Sequence, residues 1–252
     1  MKADTMRLTL RIWRQTGPHD TGGYEEHQVT DVRPEMSVLE LLDLLNSRLV
    51  DAGLEPVAFD SDCREGICGA CGVTVDGRPH GPAENTPSCH QRLTPYSDGD
   101  TLRIEPLRAE SFPVIRDLVV DRSALDGVIE AGAYVQLPTG SAPDADSLLQ
   151  GHDSAEAALD LAACIGCGAC VAACPNGSAN LFVGAKLGHL ALMPVAKSER
   201  TSRAREMVRE ADRDFGPCSL YGECSRVCPA GIPLRATAMV NRERLRAVFR
   251  RD

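Results

Sequence analysis

Apolar and polar residues alternate at the start of the chain. Met6, Leu8, Leu10 and Ile12 are apolar, with Arg7, Thr9 and Arg11 between them. A period of two predicts a half-buried β-strand. Gly17 to Gly23 is turn-rich, and 27–32 predicts the returning strand. The period then lengthens. Ser37-Val-Leu-Glu40 has the S-x-x-E form of a capping box. It opens a predicted helix with Val38, Leu41, Leu42, Leu45 and Leu49 on one face, and Gly53 is placed to stop it. Val73 to Val75 alternates into Asp76-Gly77, a good hairpin turn. Leu102 and Ile104 predict a strand that closes the unit near Pro106.

Strand, strand, helix is how a ubiquitin-like β-grasp begins, so residues 1–110 are expected to form one small mixed domain. Past residue 110 the pattern turns helical, and 111–252 is expected to be a second, α-helical domain. Ser123 is placed to cap a short helix reaching Glu130, and Ser154 to open the helix that delivers Cys164. Leu137 to Gly151 reads as an irregular connector. Ser198 to Asp212 reads as a charged helix. Pro233 suits the first position of a last helix carrying Leu234, Ala238, Leu245 and Val248. The fold class is therefore α+β.

Composition narrows the picture. The chain has 252 residues, 43% of them hydrophobic and 25% charged, as in a soluble globular protein. A net charge of −9 excludes the basic footprint of a nucleic-acid binder. Aromatic residues make up only 4%, so bound metal clusters are expected to anchor a loop-rich fold. The most apolar window, Leu181 to Val195, contains Lys186, His189 and Pro194 and is too short for a transmembrane helix. Met1-Lys-Ala-Asp-Thr leads straight into a strand without the form of a signal peptide. Eleven cysteines without such a signal predict metal chemistry in a reducing compartment.

Seven of those cysteines fall in two runs. Cys164, Cys167, Cys170 and Cys174, followed by Pro175, form C-x2-C-x2-C-x3-C-P. In this bacterial-ferredoxin pattern the fourth cysteine ligates the other cluster of a pair. The second run has Cys218, Cys224 and Cys228, followed by Pro229, with Tyr221 where the second cysteine should stand. Cys164, Cys167, Cys170 and Cys228 then make four thiolates, enough for a [4Fe–4S] cluster. Cys174, Cys218 and Cys224 make three. A phenol with a pKa of about 10 is a poor substitute for a soft thiolate, so a [3Fe–4S] cluster is expected, its vacant corner facing Tyr221. Structural zinc is the commoner use of CxxC-like pairs, but it has no need of two x3-C-P endings in register. Disulfides do not suit a chain that nothing marks as secreted.

Cys63, Cys68 and Cys71 form C-x4-C-x2-C, the plant-type [2Fe–2S] spacing that a distant fourth cysteine completes. Cys89 is the cysteine left over. The glycines of this loop let backbone N–H groups approach the inorganic sulfurs. Arg78 to Pro87, between Cys71 and Cys89, is a polar, turn-rich insert.

Three clusters of three types make a one-electron relay. No G-x-G-x-x-G following a strand offers a flavin or nicotinamide site, and no acid–base or nucleophile constellation stands out. A two-electron donor must therefore lie on a partner. Two other features read blandly: His189 as a structural histidine, and the arginines at 235, 242, 244, 246, 250 and 251 as a solvated helix face. Contact of that face with an acidic partner or anionic lipid is the sharper alternative.

The order of these motifs resembles the iron–sulfur subunit of succinate dehydrogenase and fumarate reductase, most closely the actinobacterial succinate:menaquinone form. Ser61-Asp-Cys-Arg-Glu-Gly-Ile-Cys-Gly-Ala-Cys-Gly72 and Phe112-Pro-Val-Ile-Arg-Asp-Leu-Val-Val-Asp121 add to the likeness. The resemblance implies an FAD-containing partner that oxidises succinate to fumarate. It implies electron flow through [2Fe–2S], [4Fe–4S] and [3Fe–4S] in that order to a quinone at a transmembrane anchor, often with haem b. The chain would then sit at the cytoplasmic face of the cell membrane, with its β-grasp domain toward the flavoprotein. Ubiquinone-reducing members have a tryptophan shortly after the first C-P and a histidine after the cysteine opening the second run. Here 175–180 lacks tryptophan and Ser219 holds the second place, which favours menaquinone, with Pro175 as a wall of the quinone site. Another flavin-linked reductase, a free ferredoxin or a zinc-stabilised scaffold are the competing readings. A heterodisulfide-type reductase would carry a further Cys-rich module that is absent here.

Overall fold

The computed structural model describes residues 5–134 and 150–249, with the side chains of 247–249 left aside. The predicted connector at 137–151 lies largely outside the described residues, as do Arg250, Arg251 and the side chain of Val248.

The first unit is a five-stranded sheet in the order β2-β1-β5-β3-β4. Its strands are β1 (Met6–Arg14), β2 (Gly23–Val32), β3 (Val73–Val75), β4 (Arg78–Pro79) and β5 (Thr101–Pro106). β1 pairs antiparallel with β2 and parallel with β5, with Leu10 opposite Leu102 and Ile12 opposite Ile104. The alternation is realised as read: Met6, Leu8, Leu10 and Ile12 are all buried.

Helix α1 (Val38–Asp51) crosses the sheet and buries Val38, Leu39, Leu41, Leu42, Leu45 and Leu49. Its capping box is complete. The Glu40 N–H donates to Ser37 Oγ at 3.2 Å, and the Ser37 N–H donates to the Glu40 carboxylate at 2.6 Å. A cap of this kind contributes about 1 kcal/mol.

Residues 114–120 depart from the helical expectation. They form a hairpin of β6 (Val114–Arg116) and β7 (Val119–Val120). Asp117 at its turn is buried, and its carboxylate accepts from the Gln15 N–H at 3.0 Å and the Ala58 N–H at 2.8 Å. Leu118 packs into the core of the first unit, while Phe112, Val114 and Val120 pack into a second core. The hairpin therefore ties the two halves together.

The second core gathers α2 (Ser123–Val128, running on into a π-turn at Ile129–Ala133), α5 (Asn180–Leu192), α6 (Lys197–Asp214) and α8 (Thr237–Phe249). The described residues also form α3 (His152–Ala162) and two single-turn helices, α4 (Ala169–Ala172) and α7 (Glu223–Arg226).

Several predicted details need correction. Ser123 is the first residue of α2 rather than its cap, and its N–H donates to Asp121 at 2.8 Å. α3 begins at His152, two residues before Ser154. Pro233 precedes a 3-10 turn at Leu234–Ala236, which shifts the phase of α8. Val240 and Glu243 therefore face inward, Ala238 is exposed, and Leu245 is 60% exposed. Both cores are built mainly of aliphatic side chains, with Phe112 and Phe182 buried in the second, so the shortage of aromatics does not leave the fold without a core.

Candidate iron–sulfur sites

The cysteines gather in three groups. In the first, the 63–71 loop bends through three left-handed residues: Arg64 at φ 54°, Gly66 at 78° and Gly69 at 72°. This curl turns amides toward sulfur. The Glu65 N–H donates to Cys63 Sγ at 3.3 Å and the Ala70 N–H to Cys68 Sγ at 3.4 Å. The amides of Glu65 and Ile67 bring the Cys63 thiol down to about 7. Cys71 and Cys89 pack together with Leu39, and burial pushes the Cys71 thiol up to about 12. The structure thus brings Cys89 to the loop across the 72–88 insert.

That insert is anchored rather than solvated. His80 is buried, and its Nδ1 lies 2.9 Å from Ser88 Oγ and 3.1 Å from the Ser88 N–H. Burial lowers the His80 pKa to about 4, with Arg122 adding to the effect, so the ring is neutral.

The second group, Cys164, Cys167, Cys170 and Cys228, lines one cavity with Leu181, Phe182 and Ile232. Cys167 and Cys228 are buried. Burial pushes the Cys167 thiol up to about 12 and the Cys170 thiol well above its ordinary value. The Ile232 N–H donates to Cys228 Sγ at 3.4 Å.

The third group, Cys174, Cys218 and Cys224, lines a separate cavity with Asn180, Leu181, Ser219 and Tyr221. Burial raises the Cys224 thiol to about 11. Tyr221 stands at the rim and is 62% exposed. Leu181, at the start of α5, lines both cavities and separates them.

These sites fit clusters on two grounds. The thiols of the second and third groups line two distinct cavities. Among the described residues no three His, Cys, Asp or Glu side chains converge on one ion. The thiols ring a space instead, and a multi-atom core can fill it. In addition, Asn180 is buried with its side-chain N–H2 unpartnered on the wall of the third group's cavity. A buried donor without an acceptor costs about 1–3 kcal/mol, and the sulfide of a cluster would satisfy it. Buried thiols with raised pKa values likewise need a positive core to exist as thiolates.

Residues that motif reading missed hold the groups in place. Asn176 donates to the Pro217 carbonyl at 2.9 Å and to Ser219 Oγ at 2.8 Å, joining the two cysteine runs. Arg78 donates to the Arg226 carbonyl at 2.8 Å across the two halves. Arg122 donates to the carbonyls of Gly69 and Cys167 at 2.6 and 3.2 Å. Such single long-range contacts leave no local pattern in the sequence. His189 lies on α5 away from the residues lining either cavity, and burial lowers its pKa. In the basic helix, Arg244 pairs with Asp212 and Arg246 with Glu243.

Comparison with known proteins gives a consistent picture. The family model described as a 2Fe-2S iron-sulfur cluster binding domain matches residues 9–126, and that of a 4Fe-4S dicluster domain matches 160–232. The chain is 28% identical over 241 residues to the succinate dehydrogenase iron-sulfur subunit of Bacillus subtilis, covering 92% of this chain and 90% of the relative. It is 31% identical over 222 residues to the fumarate reductase iron-sulfur subunit of Haemophilus influenzae, covering 81% of each. With the fumarate reductase iron-sulfur subunit of Mycobacterium tuberculosis it shares 30% identity over 221 residues, 79% of this chain and 76% of the relative. A chain of the Mycobacterium smegmatis Sdh1 complex in the apo form has the same fold. The TM-score is 0.68 at 22% identity, covering 97% of this chain and 98% of that one.

Proposed function

The chain belongs to the family of iron–sulfur subunits of succinate dehydrogenase and fumarate reductase, and from that premise we propose that it is the electron-transfer subunit of a succinate:quinone oxidoreductase. Cys63, Cys68, Cys71 and Cys89 hold [2Fe–2S]. Cys164, Cys167, Cys170 and Cys228 hold [4Fe–4S], and Cys174, Cys218 and Cys224 hold [3Fe–4S]. When bound, the clusters supply one-electron carriers of differing potential. The protein positions them, shields them from water and aims amides at their sulfurs.

One observation carries this reading: the middle thiol group adjoins both others. The 63–72 loop meets the 165–167 backbone, and Leu181 alone lines both of the farther cavities. We assign residues 1–110 to the domain facing an FAD-containing partner and 111–252 to the domain facing a transmembrane anchor, with or without haem. No helix among the described residues is long and apolar enough to cross a membrane, so the quinone is met at the anchor, on the cytoplasmic face. Ser219 and the tryptophan-free stretch after Pro175 favour menaquinone.

EPR on membranes enriched in the complex tests the assignment, comparing air-oxidised, succinate-reduced and dithionite-reduced samples. Three cluster signals are expected, with the oxidised three-iron signal lost on adding succinate. Clusters that dithionite reduces and succinate does not would overturn the succinate assignment and leave another flavin-linked donor.

A further inference from the structure

Arg122 stands where the first two thiol groups meet. Its Nη1 donates to the carbonyl of Gly69, between Cys68 and Cys71, at 2.6 Å, and to the carbonyl of Cys167 at 3.2 Å. The backbones of the two loops come close there. A Cβ on Gly69 would overlap the Ile165 carbonyl oxygen and lie 3.1 Å from the Cys167 nitrogen, and one on Gly72 would meet the Leu107 side chain and lie 3.6 Å from the Cys167 oxygen.

The placement is electrostatically odd for the protein alone. Arg122 is half-buried and makes no ion pair with a carboxylate among the described residues. It occupies the N-cap position of α2, where a cation opposes the helix dipole. Partly buried charges ordinarily have partners. The anions available at this place are the thiolates of the first two groups. Four thiolates outweigh the positive charge of a cluster core, so each loaded site is an anion.

We propose that Arg122 is a positioning residue shared by two centres: it clamps the Gly69 and Cys167 carbonyls together and lends one positive charge to both the [2Fe–2S] and the [4Fe–4S] site. This rests on the electron-relay reading above. Each centre gains one negative charge on one-electron reduction, with no bond made or broken, so a nearby fixed cation raises both potentials together. The clamp keeps the two loops at fixed spacing while that charge moves.

The test uses the intact complex with Arg122→Gln, which keeps a donor and removes the charge, and Arg122→Lys, which keeps the charge and removes the two-carbonyl fork. Iron and sulfide per chain report loading. Dithionite titration followed by EPR reports both potentials, and broadening of the reduced [2Fe–2S] signal by the reduced [4Fe–4S] centre reports their spacing. In Arg122→Gln both potentials are expected to fall together, by a roughly tenfold loss in the reduced-to-oxidised ratio at fixed applied potential, or about 59 mV. In Arg122→Lys the potentials are expected to stay and the broadening to change. A loaded Arg122→Gln with both potentials unmoved would overturn the shared charge. Arg122→Lys with wild-type broadening would overturn the clamp, and it decides that point even if Arg122→Gln does not load. The titration needs no succinate, so failure of the succinate assignment leaves these readouts intact.

Discussion

Residues 164–175 and 218–229 trace one backbone twice. Gly166 and Leu220 are both left-handed, at φ 66° and 57°, as are Gly168 and Gly222, at 84° and 87°, and beyond the runs Gly177 and Gly231, at 60° and 65°. Each run then makes one short helix, Ala169–Ala172 or Glu223–Arg226, and ends in Cys-Pro. The side chains diverge. Where the first run has Cys167, 7% exposed, the second has Tyr221, 62% exposed. Where the first has a glycine free to adopt positive φ, the second has Leu220, which adopts it at a steric cost of about 1–2 kcal/mol. The repeat teaches that the backbone provides a cradle for thiols, and that one side chain per cradle sets how many thiolates it offers.

Five substitutions can break or sharpen that comparison. The largest contrast pairs Cys167→Ala with Tyr221→Phe. Cys167→Ala removes a buried thiol that we assign to the [4Fe–4S] site, and because metal binding is also folding energy, loss of that centre and a marked fall in thermal stability are expected. Tyr221→Phe alters an exposed rim residue to which we assign no ligand role, and iron content is expected to stay at the wild-type value. Iron analysis with thermal denaturation checks both.

A smaller contrast lies in the glycines. An alanine at position 168 would place its Cβ 2.8 Å from the Phe112 ring, whereas at position 222 the nearest neighbour, Leu234, is 3.7 Å away. Both pay the left-handed cost, and Gly168→Ala should lose about 1–3 kcal/mol more through overpacking. Chemical denaturation of the two variants measures the difference.

Leu220→Gly should give the smallest effect. The strain relieved is partly offset by glycine's greater unfolded-state entropy, about 0.5–1 kcal/mol, and the side chain is already 59% exposed. A net gain of about 1 kcal/mol or less is expected in the same assay.

The sequence disclosed most where a local period or spacing exists. Alternation placed β1, the capping box placed α1, and cysteine spacing identified the three groups that the fold brings together. It disclosed least where the physics is not local. α5 is buried on nearly every side, so it has no amphipathic stripe to mark it as a helix. Residues 114–120 read Val-Ile-Arg-Asp-Leu-Val-Val, with no period of two to mark a strand, and Asp117 finds its partners at Gln15 and Ala58 only in the folded chain. On α8, Val240 and Glu243 are buried rather than Ala238 and Leu245, after three residues of 3-10 turn that advance the phase before the α-helix begins. Arg122 and Asn176 act through single contacts with backbone carbonyls or a hydroxyl far along the chain, and no motif records those.

The most direct measurement restores the missing thiol. With Tyr221→Cys the second cradle would offer four thiolates from the same backbone as the first. EPR of the air-oxidised complex, with iron and sulfide analysis, should show the three-iron signal lost and iron per chain raised, as the site becomes [4Fe–4S]. An unchanged three-iron signal with wild-type iron content would contradict the claim that position 221 sets the cluster type.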